Sequence, residues 1–313
     1  MTTVVRHIPV MLNEVLQCLA PQKGEIYVDA TFGNGGYSEA ILKSADCKVI
    51  AIDRDPSVQA RANELKSAYK GRFEFRAGTF GEFSDIILEN INGAVFDIGV
   101  SSMQLDDGYR GFSFAKEAPL DMRMSMSGLS AKDIVNTYSE KELADLIYLY
   151  GEEKKSRQIA AKIVEYRKQK EIETTTELAD IIYQLLPKKF GHIDPATRTF
   201  QALRIAVNDE LNELEKGMKG AMLRLLPAGR IVVVDFHSLE DRIAKNFFVQ
   251  NSEKKTHVSR YKNNAQPEQH DDTKSFIFAS KAILPTDNEC QKNPRARSAK
   301  LRYAIKRKDY NNE

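Results

Sequence analysis

Four short β-rich runs alternate with helical segments in the first hundred residues, and this alternation limits the possible folds more than any other feature. The runs are EIYVDATF, KVIAIDRD, FEFRAGTF and GAVFDIGVSS, and each carries a glycine or an acid near its end. The helical segments YSEAILKSA and SVQARANELKSAY separate the first three runs. Strands that alternate with helices form parallel βαβ units with right-handed crossovers. We therefore predict an open, twisted parallel sheet over residues 24–100.

The pattern changes after this sheet. Residues 106–199 contain no strand-like run, but SEKELADLIYLYG, SRQIAAKIVEYRKQK and TTTELADIIYQLLP show the apolar spacing of helices. FQALRIAVNDELNELEKGMKGAMLRLL is predicted as one long helix before the strand IVVVDFHS, and SLEDRIAKNFFVQ as a helix with Ser238 and Asp241 as its capping pair. SFIFASKAI and AKLRYAIKR predict an antiparallel hairpin. We expect an α/β fold in which 1–105 and 200–313 form the core and 106–199 an inserted all-helical domain.

Composition excludes several classes of protein. The chain has 313 residues, of which 42% are hydrophobic and 29% charged, with a net charge of +2. These values are typical of soluble globular proteins and argue against a globally cationic coat for nucleic acid. Cys18, Cys47 and Cys290 form no CxxC or Cys/His pattern, so we predict reduced thiols in the cytoplasm and no metal site. No signal peptide or membrane span is expected, because no long uncharged apolar run occurs.

A glycine loop, Gly33-Asn34-Gly35-Gly36, follows the first predicted strand. Glycines let the backbone approach a ligand closely and adopt a positive φ. The dinucleotide fingerprint G-x-G-x-x-G needs a third glycine where this chain has Ser38, so the fingerprint fails by one residue. Glycines that only shape a tight turn remain an alternative.

Polar and aromatic residues after the next three strands narrow the choice of ligand. Asp53 ends the second strand, where an acid can bind a ribose diol in NAD enzymes and in S-adenosylmethionine methyltransferases. A helix N-cap is the alternative for Asp53, although Asp55 fits that role better. Phe80 could give an adenine ring an apolar face, and Asp97 lies where amino-methyltransferases hold the target amine. A loop cap is the alternative for Asp97, but together these residues favour S-adenosylmethionine.

Ten stretches between residues 7 and 303 resemble one family. They are HIPVMLNEVL, DATFGNGGYS, AIDRDP, DIGVSSMQLDD, RGFSF, PLDMRM, YGEE, HIDPATRTFQALRIAVNDEL, FHSLEDR and NPRARSAKLR. In this order they resemble the bacterial small-subunit ribosomal RNA methyltransferase H family, which makes N4-methylcytidine in 16S ribosomal RNA.

The resemblance implies a Rossmann-like methyltransferase sheet with an inserted helical substrate-recognition domain and S-adenosylmethionine as donor. It implies 16S ribosomal RNA as the acceptor, in the assembled small subunit in the cytoplasm, and it is compatible with a homodimer. The donor contacts that it implies are Gly35, Gly36, Tyr37, Asp53, Phe80, Asp97 and Gln104. Many family members have histidine where this chain has Tyr37. This change is harmless if the contact runs through the backbone, whereas a contact through the ring would alter donor affinity.

Methyl transfer to cytosine N4 needs an oriented amine and an acceptor for an N4 hydrogen, because the N4 lone pair is delocalised into the ring. Asp97 is the first candidate for this acceptor. His237 is the second, because it follows a strand at the same edge of the sheet. A structural histidine that anchors the loop before the SLEDR helix is equally consistent with the pattern.

Basic residues should contact RNA phosphates. The predicted RNA contacts are Arg123, Arg198, Arg204, Arg295 and Arg297. A structural ion pair with Asp121 is the alternative for Arg123, and a solvated charged segment is the alternative for the arginines of NPRARSAKLR.

Three other functions stay open on the sequence alone. The same core could methylate DNA, protein or a small amine. A nicotinamide-dependent oxidoreductase is disfavoured by Ser38, and a catalytically silent RNA- or ribosome-binding protein would keep the fold without the reaction.

Overall fold

A seven-stranded sheet forms the centre of the computed structural model, which describes residues 9–253 and 274–308. The strands are β1 (Ile26–Asp29), β2 (Lys48–Asp53), β3 (Phe73–Ala77), β4 (Ile91–Asp97), β5 (Leu225–Asp235), β6 (Phe276–Ala279) and β7 (Lys300–Lys306). Their order is β3-β2-β1-β4-β5-β7-β6. The first five strands are parallel, and β7 is antiparallel to both β5 and β6. The predicted parallel sheet, the antiparallel pairing of the last two strands and the α/β fold class are confirmed.

The sheet is covered on both faces, which is why its central strands are continuous apolar runs rather than alternating ones. Successive side chains of a strand point to opposite faces. Accordingly, Val49 and Ala51 of β2 belong to one buried cluster, whereas Ile50 and Ile52 belong to another. The first cluster includes residues of α1 (Leu12–Leu19), α2 (Gly36–Ser44) and α3 (Gln59–Ala68).

The opposite face of the sheet has its own helices. The second cluster includes residues of α4 (Phe83–Ile86), of a later helix over Glu210–Arg224 and of another over Ser238–Asn251. The result is a three-layer arrangement that leaves the carboxyl ends of the parallel strands for loops.

The chain divides into two compact units. The first comprises residues 1–53, 57–99 and 211–313, and the second comprises 54–56 and 100–210. The second unit therefore starts earlier and ends later than the predicted insertion of 106–199. Its helices are α5 (Ser102–Asp106), α6 (Ala131–Thr137), α7 (Glu140–Gly151), α8 (Ser156–Arg167), α9 (Thr175–Leu185) and α10 (Thr197–Asn208).

The helical unit has a hydrophobic core of its own. Its buried residues include Leu143 and Ile147 of α7, Ile159 and Ile163 of α8, and Leu178 and Ile182 of α9. The two positions in each helix are four residues apart, as on one face of an amphipathic helix.

The predicted long helix after residue 199 is wrong. Asp209 has a φ of 50° and separates α10 from α11 (Glu210–Arg224). The side-chain amide of Asn208 donates to the carbonyl oxygens of Met122 and Arg204, 2.8 and 2.9 Å away. Because aspartate tolerates the left-handed region better than most residues, neither glycine nor proline marks this break in the sequence.

The remaining helices are α12 (Ser238–Asn251) and α13 (Asp287–Lys292), and single 3-10 turns cover Pro56–Val58, Phe80–Glu82, Gly108–Arg110 and Pro294–Ser298. In the part of the chain that the structure describes, no helix is both long and apolar enough to cross a membrane.

Candidate active site

The strand order places a crevice between β1 and β4. The chain proceeds outward from β1 through β2 to β3 on one side and from β4 to β5 on the other. In open α/β sheets, ligands bind where the order reverses, at the carboxyl ends of the strands. The glycine loop follows β1 and Asp97 ends β4, so both predicted features lie at this edge.

Backbone geometry in the loop requires glycine at two positions. Gly33 and Gly35 have φ values of 49° and 73°. A Cβ on Gly35 would lie 2.8 Å from Phe32 Cε2 and 2.9 Å from Leu65 Cδ1. Helix α2 begins at the next residue, Gly36, with Gly35 as its N-cap. The loop therefore presents backbone rather than side chains at the start of α2.

Ser38, the residue that interrupts the dinucleotide fingerprint, holds the end of β1. It is fully buried, and its backbone N–H and its hydroxyl donate to Asp29 Oδ2 at 3.1 and 2.7 Å. Burial raises the pKa of Asp29 to about 6, although the hydrogen bonds from Ser38 oppose this. Sequence reasoning identified neither Asp29 nor this contact.

Asp97, at the end of β4, has a buried carboxyl oxygen, Oδ1, without a hydrogen-bond partner among the described residues. Its backbone N–H donates to Thr31 Oγ1 at 2.7 Å. Burial, together with the smaller effects of the neighbouring acids Asp29 and Glu240, raises the pKa of Asp97 to about 8. Unsatisfied buried oxygens with shifted pKa values are characteristic of functional sites.

Asp53 lies next to the same loop. Its Oδ2 accepts the backbone N–H of Gly33 at 2.7 Å, so it fixes the loop through the backbone. A role in binding ribose stays a prediction.

Phe80 begins the 3-10 turn after β3. Its ring lies edge-on to Phe96, with the ring centroids 6.2 Å apart. Glu82 Oε2 accepts the backbone N–H of Thr79 at 2.8 Å and fixes the start of this turn. The predicted contact of Phe80 with adenine is not tested by these distances.

Tyr37 has a structural role that the sequence did not reveal. Its side chain is only 4% exposed, and its hydroxyl donates to the carbonyl oxygen of Val10. The ring is therefore part of the core, so a donor contact at Tyr37 would run through its backbone.

His237 is the N-cap of α12, which corrects the predicted capping pair of Ser238 and Asp241. Its Nδ1 accepts the backbone N–H of Glu240 at 3.4 Å, and its Nε2 lies 2.9 Å from Glu240 Oε1. Asp241 instead forms ion pairs with Lys300 and Arg302, at 3.0 and 2.7 Å. Because both ring nitrogens face Glu240, the geometry favours the structural alternative for His237 over proton transfer.

Gln104 lies in the second compact unit. Its Nε2 donates to Asp55 Oδ2 at 2.7 Å, and its Oε1 accepts the backbone N–H of Ser101 at 2.9 Å. Arg110 Nη1 lies 3.0 Å from the same Asp55 oxygen, and both of these charged side chains are almost fully buried. Asp55 thus holds Gln104 and Arg110 together, a role that sequence reasoning missed.

The five arginines predicted to bind RNA differ in their surroundings. Arg123 pairs with both carboxyl oxygens of Asp121, as the alternative interpretation expected, and Arg204 pairs with both of Glu210. The side chain of Arg198 is 51% exposed and lies 3.8 Å from Glu153. Arg295 is half-buried and Arg297 exposed on the last 3-10 turn. The exposed pair, Arg198 and Arg297, is the better placed for phosphates.

No group of three or more histidine, cysteine or acidic residues in residues 9–253 and 274–308 could hold a metal ion.

The doubly wound sheet, the glycine loop after β1 and the acids at the ends of β2 and β4 define the class of Rossmann-like S-adenosylmethionine-dependent methyltransferases. The model of the MraW methylase family matches residues 4–307. The chain belongs to this family.

Curated relatives agree with the family. Ribosomal RNA small subunit methyltransferase H from Rickettsia bellii (strain OSU 85-389) is 53% identical over 303 residues, which cover 96% of this chain and 98% of that protein. The protein of the same name from Rickettsia akari (strain Hartford) has the same identity and coverage. Among solved structures, an rRNA methylase from Streptococcus thermophilus has a TM-score of 0.40 and 11% identity, and covers 95% of this chain and 93% of that one.

Proposed function

We propose that this chain transfers a methyl group from S-adenosylmethionine to N4 of a cytosine in 16S ribosomal RNA. The family match and the names of the relatives support the class of acceptor. The observation that carries the chemistry is the buried, unpartnered Oδ1 of Asp97 at the carboxyl end of β4.

The residues at this edge fit the donor. Gly33 and Gly35 have a positive φ, so the loop presents its backbone at the start of α2, and Asp53 stands at the end of β2, where a ribose is bound in such folds. S-adenosylmethionine supplies an activated methyl group on a positively charged sulfur. Gly35, Gly36 and Tyr37 would contact it through the backbone, and Asp53, Phe80 and Asp97 through their side chains. Gln104 belongs to the other compact unit, so its contact rests on the family resemblance.

Asp97 would orient the target amine and accept one N4 proton, so that the nitrogen lone pair leaves conjugation and is available to the methyl carbon. The N–C bond would form as the C–S bond breaks, and S-adenosylhomocysteine would be the leaving group. This role requires an ionised carboxyl. Burial and the neighbouring acids keep Asp97 largely neutral at pH 7, since its pKa is about 8. The positively charged sulfur of bound S-adenosylmethionine would favour the ionised form and lower this pKa. His237 is held by Glu240 and has a structural role rather than one in proton transfer.

The helical unit recognises the RNA. Its exposed Arg198, together with Arg297 on the 3-10 turn before β7, offers cations to phosphates. Arg123, Arg204 and Arg295 are weaker candidates, because the first two are already in ion pairs and the third is half-buried.

Labelled S-adenosylmethionine tests the acceptor. Small subunits from cells that lack this protein, naked 16S RNA, DNA and bulk protein are incubated separately with the full chain. We expect label in small-subunit RNA and loss of that label with Asp97→Ala. Label in DNA or protein only would contradict the proposal. Binding of NAD rather than S-adenosylmethionine in a calorimeter would support an oxidoreductase, and RNA binding without any transfer would support a silent binding protein.

The finer features of the proposal follow the family resemblance. The acceptor is the assembled small subunit in the cytoplasm, where reduced Cys18, Cys47 and Cys290 are stable, and the enzyme works as a homodimer. A higher transfer rate on assembled subunits than on naked RNA supports the first point, and equal rates contradict it. Light scattering on the purified chain measures its oligomeric state and so tests the second point.

A further inference from the structure

Residues Pro9–Met11, here called the N-terminal strap, pass directly over the first turn of α2. A Cβ added to Gly36 would lie far closer to Pro9 Cγ than two carbon atoms can approach. Gly36 therefore has no side chain because the strap occupies that space. The strap thus touches the loop that the proposed function assigns to the donor.

The middle of the strap is held by the first turn of α2, which follows the glycine loop. Tyr37, the second residue of α2, donates its hydroxyl hydrogen to the carbonyl oxygen of Val10. Both side chains are buried in the core cluster on that face of the sheet. The hydrogen bond therefore joins the strap to α2 in a place where water cannot replace it.

The end of the strap is held by a residue that is 278 positions away in the chain. The backbone N–H of Met11 donates to Glu289 Oε1 at 2.5 Å. Glu289 is half-buried in α13, which lies in the connection between β6 and β7. A bond from a backbone N–H to a carboxylate is stronger than one between neutral groups.

Met11 itself shows that the strap needs these anchors. It is fully buried and has a φ of 53°, in the left-handed region that non-glycine residues avoid. A strained conformation of this kind persists only where surrounding contacts hold it. Two hydrogen bonds and the contact with Gly36 supply that support.

We propose that Tyr37 and Glu289 are positioning residues for donor binding, which act by holding the N-terminal strap against the glycine loop. This inference rests on the proposed function, in which the backbone of Gly35, Gly36 and Tyr37 contacts S-adenosylmethionine. A loop held in its binding conformation before the ligand arrives loses less entropy on binding. Release of the strap therefore weakens the donor complex without removing any group that touches the reacting atoms.

Calorimetric titration of the full chain with S-adenosylmethionine tests this inference. Glu289→Ala removes the acceptor for Met11 and should raise the Kd about tenfold, which is about 1.4 kcal/mol. Tyr37→Phe keeps the ring and removes only the hydroxyl that donates a hydrogen bond to Val10, so it should also raise the Kd. In assays on small subunits, both variants should raise the KM for the donor, and Glu289→Ala should leave kcat at saturating donor within about twofold of wild type.

Two variants serve as controls. Glu289→Gln keeps an oxygen that can accept the Met11 N–H and should restore most of the affinity. Asp287→Ala removes an exposed carboxylate from the first turn of the same helix and should change the Kd by less than about twofold.

Three results would overturn the inference: wild-type affinity in both Glu289→Ala and Tyr37→Phe, a Glu289→Gln variant as weak as Glu289→Ala, or a fall in kcat with no change in donor affinity. If Glu289→Ala does not fold, as seen by circular dichroism, Tyr37→Phe alone decides between the outcomes. A wild-type chain that does not bind S-adenosylmethionine would instead contradict the donor assignment itself.

Discussion

The sheet edge and the helical unit use buried charge in opposite ways. In the helical unit, buried or half-buried acids have basic partners: Arg110 pairs with Asp55, Arg123 with Asp121 and Arg204 with Glu210. At the sheet edge, Asp97 Oδ1 and both carboxyl oxygens of Asp235 have no hydrogen-bond partner among the described residues. Removal of one partner of a buried charge pair leaves an uncompensated charge, whereas an unpartnered buried acid already costs stability and is a candidate for a function. This contrast separates the acids that have basic partners from Asp97, the acid proposed to act on the target amine.

Replacement of Asp97 gives the largest expected effect. Asp97→Asn keeps the shape of the side chain and an oxygen that accepts hydrogen bonds, but its neutral amide cannot take up the N4 proton, so kcat should fall by about 10²–10⁴-fold. Stability should not fall, because Oδ1 has no partner to lose. Single-turnover transfer to small subunits and urea unfolding measure the two quantities. Unchanged turnover would remove Asp97 from the reaction.

In the helical unit, by contrast, a substitution that breaks a charge pair should lower stability. Arg110→Leu leaves Asp55 buried without its cation and removes the bonds from Arg110 to the carbonyl oxygens of Arg123 and Met124. The free energy of unfolding should fall by about 3–5 kcal/mol. Urea titration measures this, with the exposed Arg157→Leu on α8 as the matched control. A variant as stable as wild type would show that the pair contributes nothing to the fold.

Asp235 offers a test through pH. Burial raises the pKa of its carboxyl to about 8, and the neighbouring Asp241 and Glu240 act in the same direction. The folded protein therefore keeps this proton to about pH 8, while the unfolded chain releases it near pH 4. Its contribution to stability is present below pH 4 and is lost as the pH rises toward 8, by about 1 kcal/mol for each pH unit between pH 6 and 8.

Asp235→Asn cannot ionise, so its stability should decline less steeply over this range than that of wild type. Thermal unfolding at several pH values compares the two. If stability declined equally with pH in wild type and in Asp235→Asn, Asp235 would already be ionised in the folded protein.

The smallest expected effects distinguish exposed from paired arginines. Arg297→Gln should weaken binding to small-subunit RNA several-fold, with little change in stability. The slope of log Kd against log salt concentration should fall by about one. Arg123→Gln should instead lower stability, since Asp121 loses its partner. Filter binding at several salt concentrations measures the RNA affinity of both. Equal losses of RNA affinity in the two variants would show that exposed and paired arginines contribute equally to RNA binding.

The sequence predicted the parallel sheet and its ligand edge because continuous apolar runs and glycine loops are local signals. It did not predict the contact of Ser38 with Asp29, or that of Tyr37 with Val10, because each depends on how distant elements pack. The break at Asp209 was missed since neither glycine nor proline occurs there and the apolar spacing of a helix continues on both sides.

One missed feature had a local signal. His237 and Glu240 have the three-residue spacing of a capping box, but serine at position 238 is the commoner cap and suggested a start one residue later. Asp97 was found from its place after the fourth strand, whereas its unpartnered oxygen is visible only in three dimensions.

The most direct test of the central claim is mass spectrometry of nucleosides from small-subunit RNA. Subunits from cells that lack this protein are treated with S-adenosylmethionine and either the wild-type chain or Asp97→Asn, and the RNA is then digested. We expect N4-methylcytidine after treatment with wild type and at most a trace with Asp97→Asn. A methyl group on another nucleoside, or no N4-methylcytidine with an enzyme that binds the donor, would contradict the account.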